Sequence, residues 1–135
     1  LQGERMTIID FQDALLAPPQ YDLASLLRDS YVPFDDAERE ELRQDYESLF
    51  PKSAQKRECR RRLFEIVALQ RNMKAAGRFQ YILKVKGKAT HVPFIPYTLQ
   101  MIERSLQRET EFRPLARLIG GRLGDLIAKE GSCKG

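Results

Sequence analysis

Apolar positions recur along this chain with two different periods. At its start, Thr7, Ile8 and Ile9 bring β-branched residues together and predict one short buried strand over about residues 5–9. Everything after that reads as helix and loop. Residues 14–20, which contain Pro18 and Pro19, predict a loop, because proline removes a donor and restricts the residue before it. Asp22 then stands at an N-cap position for a helix over about 23–31, where its carboxylate can accept from the N–H of Ala24 or Ser25 and Leu23, Leu26 and Leu27 face a core. Asp35 and Glu38 have the spacing of a capping box opening a helix over about 36–49, with Leu42, Tyr46 and Leu49 on one side and Phe50-Pro51 at its end. Ser53 offers a cap for a helix over about 54–76, with Leu63, Ile66, Val67, Gln70 and Met73 at helical spacing and Gly77 as its stop. An apolar piece, Phe79 to Val85, precedes a loop around Gly87, Pro93 and Pro96. Helices follow over about 96–108 (Leu99, Ile102, Leu106) and 113–129 (Leu115, Leu118, Ile119, Leu123, Leu126). The sum is a mainly α chain: a bundle of five or six helices with one strand at a corner and a disordered tail over 131–135.

Asp10 follows the strand with no turn residue between. A carboxylate fixed at the end of a buried strand is costly unless donors or a cation meet it, and a hard divalent ion such as Mg²⁺ takes such an oxygen. The bland account is a strand-end Asp that caps a turn.

The residues around Asp10 carry a resemblance. Ile9-Asp10-Phe11, a short proline-bearing loop, and Asp22-Leu23-Ala24 opening a helix resemble the metal-binding segment of the aminoglycoside phosphotransferase and choline kinase-like family, which has a protein-kinase-like fold. Gln12 stands where the kinase Asp-Phe-Gly triplet has glycine, a departure that counts more against a protein kinase than against a small-molecule phosphotransferase. The longer strings Asp10-Phe11-Gln12-Asp13-Ala14, Tyr21 to Asp29 and Leu69 to Lys74 are similar to bacterial amino-sugar kinases of that family, over about residues 7–79. The resemblance implies a helical C-terminal lobe (about residues 1–130) of an ATP-dependent kinase that phosphorylates a small molecule's hydroxyl. It also implies Mg²⁺ held by Asp10, with ATP and an amino sugar as ligands. Asp13 then either serves the metal and substrate or is a solvated loop carboxylate. Asp22 supports the metal loop by hydrogen bonds, and Arg71 and Asn72 either contact the sugar or face water. The family's His-Gly-Asp triplet and following Asn have no room in the nine residues before Asp10. The catalytic Asp and the nucleotide-binding N-terminal lobe are therefore expected upstream, in a longer cytoplasmic protein, and this polypeptide alone is expected to be inert.

Charge and composition limit the rivals. Formal net charge is +4, but residues 35–47 hold seven acidic and two basic residues, while residues 52–62 hold six basic residues against Glu58. Clustered arginines can neutralise phosphates, yet no aromatic interleaving or DNA-binding motif accompanies them, so pairing with the acidic helix is the simpler account. A non-catalytic helical interaction domain with a kinase-like core is the other alternative. No apolar run approaches the roughly 20 residues of a membrane span, and no signal-peptide pattern opens the sequence. Cys59, Cys133 and His91 lie too far apart for a zinc site, and two distant cysteines fit a reducing compartment. Gly120-Gly121-Arg122-Leu123-Gly124 follows no strand and lacks the Lys-Ser/Thr ending of a phosphate loop.

Overall fold

The computed structural model describes residues 16–50 and 53–131, with side chains described as far as residue 125. Five α-helices make up the described residues: α1 (Gln20–Leu27), α2 (Asp36–Ser48), α3 (Ala54–Lys86), α4 (Ile95–Arg108) and α5 (Arg113–Gly131), with short 3₁₀ turns at Val92–Phe94 and Thr110–Phe112. The mainly α expectation holds. The strand over about 5–9 lies outside the described residues, as does the tail after Gly131, which is itself the last residue of α5.

The long helix α3 is the spine. It packs on α1 through Phe64, Val67 and Ala68 and on α4 through Leu69 and Phe79, and α4 in turn carries α5. Two apolar clusters result. Ala24 and Leu27 of α1 close over Phe64, Val67 and Ala68 of α3. Leu69 and Phe79 of α3 join Ile95, Leu99, Ile102 and Leu106 of α4 and Leu123 of α5. Helix α4 buries the stripe its sequence predicts, with Pro96 in the first turn where its missing N–H costs nothing.

Helix α2 is attached differently. Its predicted apolar side does not face a core: Leu42 is exposed and Leu49 is 77% exposed. Arg39 is its buried residue instead, donating to Leu27 O (3.1 Å), Phe34 O (2.7 Å), Asp36 (2.5 Å) and Tyr97 Oη (3.3 Å). A guanidinium with several donors in a fixed fork can tie three segments where an aliphatic side chain could tie none. The predicted capping box is present: Asp35 Oδ1 accepts from Ala37 N and Glu38 N, both at 2.8 Å, and Glu38 accepts from Asp35 N.

Three predicted boundaries move, one of them the end of α1, which stops at Leu27 rather than at about residue 31. Helix α1 begins at Gln20, with Pro19 at the cap position (φ −54°), so Asp22 lies inside the first turn and makes no cap hydrogen bond. The fixed φ of proline already suits a helix start, which carries the onset upstream of the carboxylate. Gln20, Ala24 and Leu27 are its buried positions, and Leu26 is 58% exposed. Helix α3 runs ten residues past the predicted stop. Gly77 sits mid-helix with open space around it, and Gly87 (φ +63°) is the residue that ends the helix in the left-handed region. There the N–H groups of Gly87 and Lys88 both turn back to Ile82 O. A lone helical glycine costs only about 1 kcal/mol, less than the burial of Phe79 beyond it contributes. Ser53 stands at the N-cap of α3 without a side-chain capping bond. The buried face of α3 is also rotated from the predicted one: Phe64, Val67, Ala68, Leu69 and Asn72 are buried, while Ile66, Gln70 and Met73 are exposed.

Candidate functional site

The C-terminal end of α1 and the turn after it run beside the middle of α3, and the gap between them is a cleft of about 240 Å³. Ser25, Arg28, Asp29, Ser30 and Tyr31 form one wall; Arg71, Asn72, Lys74, Ala75, Arg78 and Phe79 form the other. Positions 71, 74, 75 and 78 fall three, four and seven residues apart, so a continuous helix sets them in one stripe. That stripe exists only because α3 continues through Gly77.

Beneath the cleft lies a buried ion pair. Arg28 Nη2 donates to both oxygens of Glu65, at 3.1 and 3.2 Å, and both side chains are nearly inaccessible, at 1% and 5% exposure. Arg108 reaches the same carboxylate from α4 at 3.2 Å. The guanidinium also meets the Met101 sulfur and the Phe64 ring. Burial lowers the pKa of Arg28, and the Glu65 carboxylate beside it pulls the other way. Since arginine keeps its proton in proteins, the buried charge depends on Glu65 for compensation.

Asn72 is 1% exposed and its Nδ2 donates to Arg28 O at 2.9 Å. It thereby pins the chain where α1 ends, and Arg28 and Asp29 take their places from it. Two buried atoms bordering the cleft have no hydrogen-bond partner among the described residues, Asn72 Oδ1 and Arg28 Nε. Arg71 is half-buried and lays its guanidinium over the Tyr21 ring, 4.6 Å from the centroid. Tyr31, 50% exposed, closes the end of the cleft in an aromatic group with Phe94 (4.8 Å), Phe79 (5.7 Å) and His91. His91, solitary in the sequence, stacks on Phe79 at 5.2 Å.

The residues singled out from sequence thus separate. Arg71 and Asn72 both border the cleft, although Asn72 spends its amide on the backbone. Asp22 is exposed, 3 residues into α1 with no hydrogen bond among the described residues, and its negative charge favours the helix N-terminus. Asp10 and Asp13 lie outside the described residues. Among the described residues no group of three or more His, Cys, Asp or Glu side chains could hold a metal. Sequence reasoning missed Arg28, Tyr31, Lys74 and Arg78. Lys74 was findable within the predicted helix, three residues after Arg71, and Arg78, seven residues after it, once Gly77 is read as helical.

The basic run meets carboxylates. Arg60 pairs with Glu47 of the acidic helix at 2.7 Å, Arg61 with Glu58 and Glu109, and Arg62 with Glu111. Only the first of these pairs joins α2 as the charge pattern predicts; the pair of Arg61 with Glu58 lies within α3, and the pairs with Glu109 and Glu111 reach the segment just after α4. No helix among the described residues is long and apolar enough to cross a membrane.

Comparison with known proteins agrees with the resemblance. Residues 1–63 match the model of the phosphotransferase enzyme family. The chain is 33% identical over 129 residues to the N-acetylmuramate/N-acetylglucosamine kinase of Neisseria meningitidis serogroup B, covering 90% of this chain and 37% of that protein. It is 29% identical over 117 residues to the enzyme of the same name from Pseudomonas putida, covering 83% of this chain and 34% of that one. The chain therefore spans about a third of the length of these relatives, and its similarity reaches well past residue 79. No solved structure matches significantly. This chain is thus similar, over nearly all its length, to aminoglycoside phosphotransferase-like amino-sugar kinases.

Proposed function

We propose that the chain is the helical C-terminal lobe, over about residues 1–130, of an ATP-dependent kinase that phosphorylates a hydroxyl of an amino sugar such as N-acetylmuramate or N-acetylglucosamine. The observation that carries this reading is the cleft between α1 and α3, lined by serine and arginine side chains beside apolar surface, in a chain whose relatives are sugar kinases. A sugar ring presents hydroxyls at its edge and C–H groups on its face, and the cleft offers Ser25, Ser30 and Arg71 for the one and half-exposed Tyr31 for the other.

In this reading Asp10 would hold Mg²⁺, which when bound would supply neutralisation of phosphate charge during phosphoryl transfer. Asp13 lies close enough in sequence to serve the same centre or the acceptor hydroxyl. Asp22 steadies the segment from the start of α1, and Arg71 and Asn72 line the acceptor cleft. The base that positions the acceptor hydroxyl and the nucleotide-binding lobe belong to the rest of the protein, and this chain alone does not turn over ATP. A cytoplasmic setting follows from ATP as co-substrate and agrees with a free, exposed Cys59.

The test is transfer of labelled γ-phosphate from ATP to either sugar by the intact protein and by its Asp10→Ala variant. The reading expects sugar phosphate from the first and a loss of most turnover, with an unchanged fold, in the second. Near-normal turnover in Asp10→Ala would end the metal assignment, and absence of transfer to both sugars by the intact protein would end the functional one.

A further inference from the structure

We infer that the cationic wall of the α1–α3 cleft reads a carboxylate on the acceptor, so that the site prefers an acidic amino sugar over its neutral analogue. The inference rests on the acceptor reading given above and deepens it.

The charge count of the cleft is the starting point. Arg28, Arg71, Lys74 and Arg78 border it with a single carboxylate, Asp29. Arg28 is compensated from below by Glu65, which leaves three cations facing one acid. Asp29 Oδ1 is partly engaged already, accepting from Tyr31 N at 2.6 Å. None of Arg71, Lys74 and Arg78 forms an ion pair among the described residues: Arg71 stacks on Tyr21, and Arg78 lies 5.9 Å from the centroid of Tyr81. Stacking leaves the edge of a guanidinium open to an oxyanion.

Burial adds a second observation. Arg28 is 3% exposed, yet its Nε–H has no acceptor among the described residues. A donor left so is costly, and an anionic oxygen is a partner of the right sign for it, while the unpaired Asn72 Oδ1 calls for a donor such as a ligand hydroxyl. Half-exposed Tyr31 supplies apolar surface at one end while Arg71, Lys74 and Arg78 stand along α3, an arrangement that suits a ring carrying a charged substituent. N-acetylmuramate carries such a carboxylate on its lactyl ether; N-acetylglucosamine has a hydroxyl at that place. The phosphates of the nucleotide share the anionic chemistry, and the kinetics separate the two sources.

The experiment measures kcat/KM of the intact protein for both sugars, and KM for ATP, in wild type and in Lys74→Ala, Arg78→Ala and the control Lys84→Ala, which lies on α3 outside the cleft. The wild type should favour the acidic sugar, with a preference that weakens as salt rises. Each cleft variant should lower the acid-over-neutral ratio by roughly tenfold, the size of one charged hydrogen bond, with KM for ATP unmoved. Arg78→Lys should recover much of the ratio, and Lys84→Ala should keep it. Equal use of both sugars by wild type, or a ratio untouched by both cleft variants, overturns the inference while leaving the kinase reading in place. A change confined to KM for ATP assigns the cations to the nucleotide and overturns it also. Transfer to neither sugar overturns both readings together.

Discussion

Replacing Glu65 by Gln isolates the interaction that holds the cleft's floor. The substitution keeps the shape of the side chain and removes its charge. Arg28, 1% exposed at its side chain, would then hold a buried guanidinium with no counter-ion, because Glu65 is the only carboxylate it meets among the described residues. Breaking a buried pair in this one-sided way costs about 3–5 kcal/mol. The second arm, from Arg108, contributes under about 1 kcal/mol, since that side chain is half exposed. Against a total stability of about 5–15 kcal/mol, the loss is large. It should lower the thermal midpoint by about 10–20 °C and shift the urea midpoint with an unchanged slope. The double variant Arg28→Met, Glu65→Leu removes both charges and should regain most of the loss, giving a coupling energy of several kcal/mol in a double-mutant cycle. A Glu65→Gln cost below about 1 kcal/mol would refute the argument, because it would mean that water or another anion already reaches Arg28.

Two glycines on one helix should respond in opposite directions. Gly77→Ala places a methyl in open space mid-helix and should stabilise by about 0.5–1 kcal/mol, whereas Gly87→Ala forces a side chain into φ +63° and should destabilise by about 1 kcal/mol; equal signs in denaturant unfolding would contradict the boundary of α3. Asp35→Ala removes the acceptor of two N–H groups and should cost about 1 kcal/mol, read in the same assay. Hydrogen bonds from Arg43 and Gln44 hold the Glu40 carboxyl down at about 2, and the Arg39 hydrogen bond also lowers that of Asp36. Because the folded pKa values are depressed, the stability these groups add is complete above about pH 5 and is lost as pH falls toward 2. Both side chains are at least half exposed, so the loss should stay under about 1 kcal/mol for each and shrink in salt; stability that rises on acidification across that window would show the ion pairs of α2 to be absent.

How far the sequence spoke for the fold depended on which force decided each element. Helix α4 was legible because Leu99, Ile102 and Leu106 form an uninterrupted apolar stripe and all three are buried. The start of α2 was legible because a capping box is a local device whose partners lie 3 residues apart. The buried face of α3 was not, because Glu65 and Asn72, polar by pattern, take interior places by pairing with Arg28. Such a pair joins residues 37 and 44 positions apart and leaves no periodic trace. For the same reason Arg39 of α2 was invisible as a core residue. Of the candidate site, Arg71 and Asn72 were found through family resemblance, while Arg78 was hidden by reading Gly77 as a stop; Lys74 lay inside the predicted helix, one turn after Arg71, and was passed over. Asp10 and Asp13 remain sequence assignments, outside the described residues.

The most direct test of the central claim is where the acceptor binds. Backbone amide resonances of the isotopically labelled intact protein, followed during titration with N-acetylmuramate, locate the site without relying on turnover. The account predicts saturable shifts concentrated at Ser30, Tyr31, Arg71, Lys74 and Arg78, on the two walls of the α1–α3 cleft. Shifts confined to other surfaces, such as the paired arginines and glutamates of α2 and early α3, or no saturable shift at all, would contradict it.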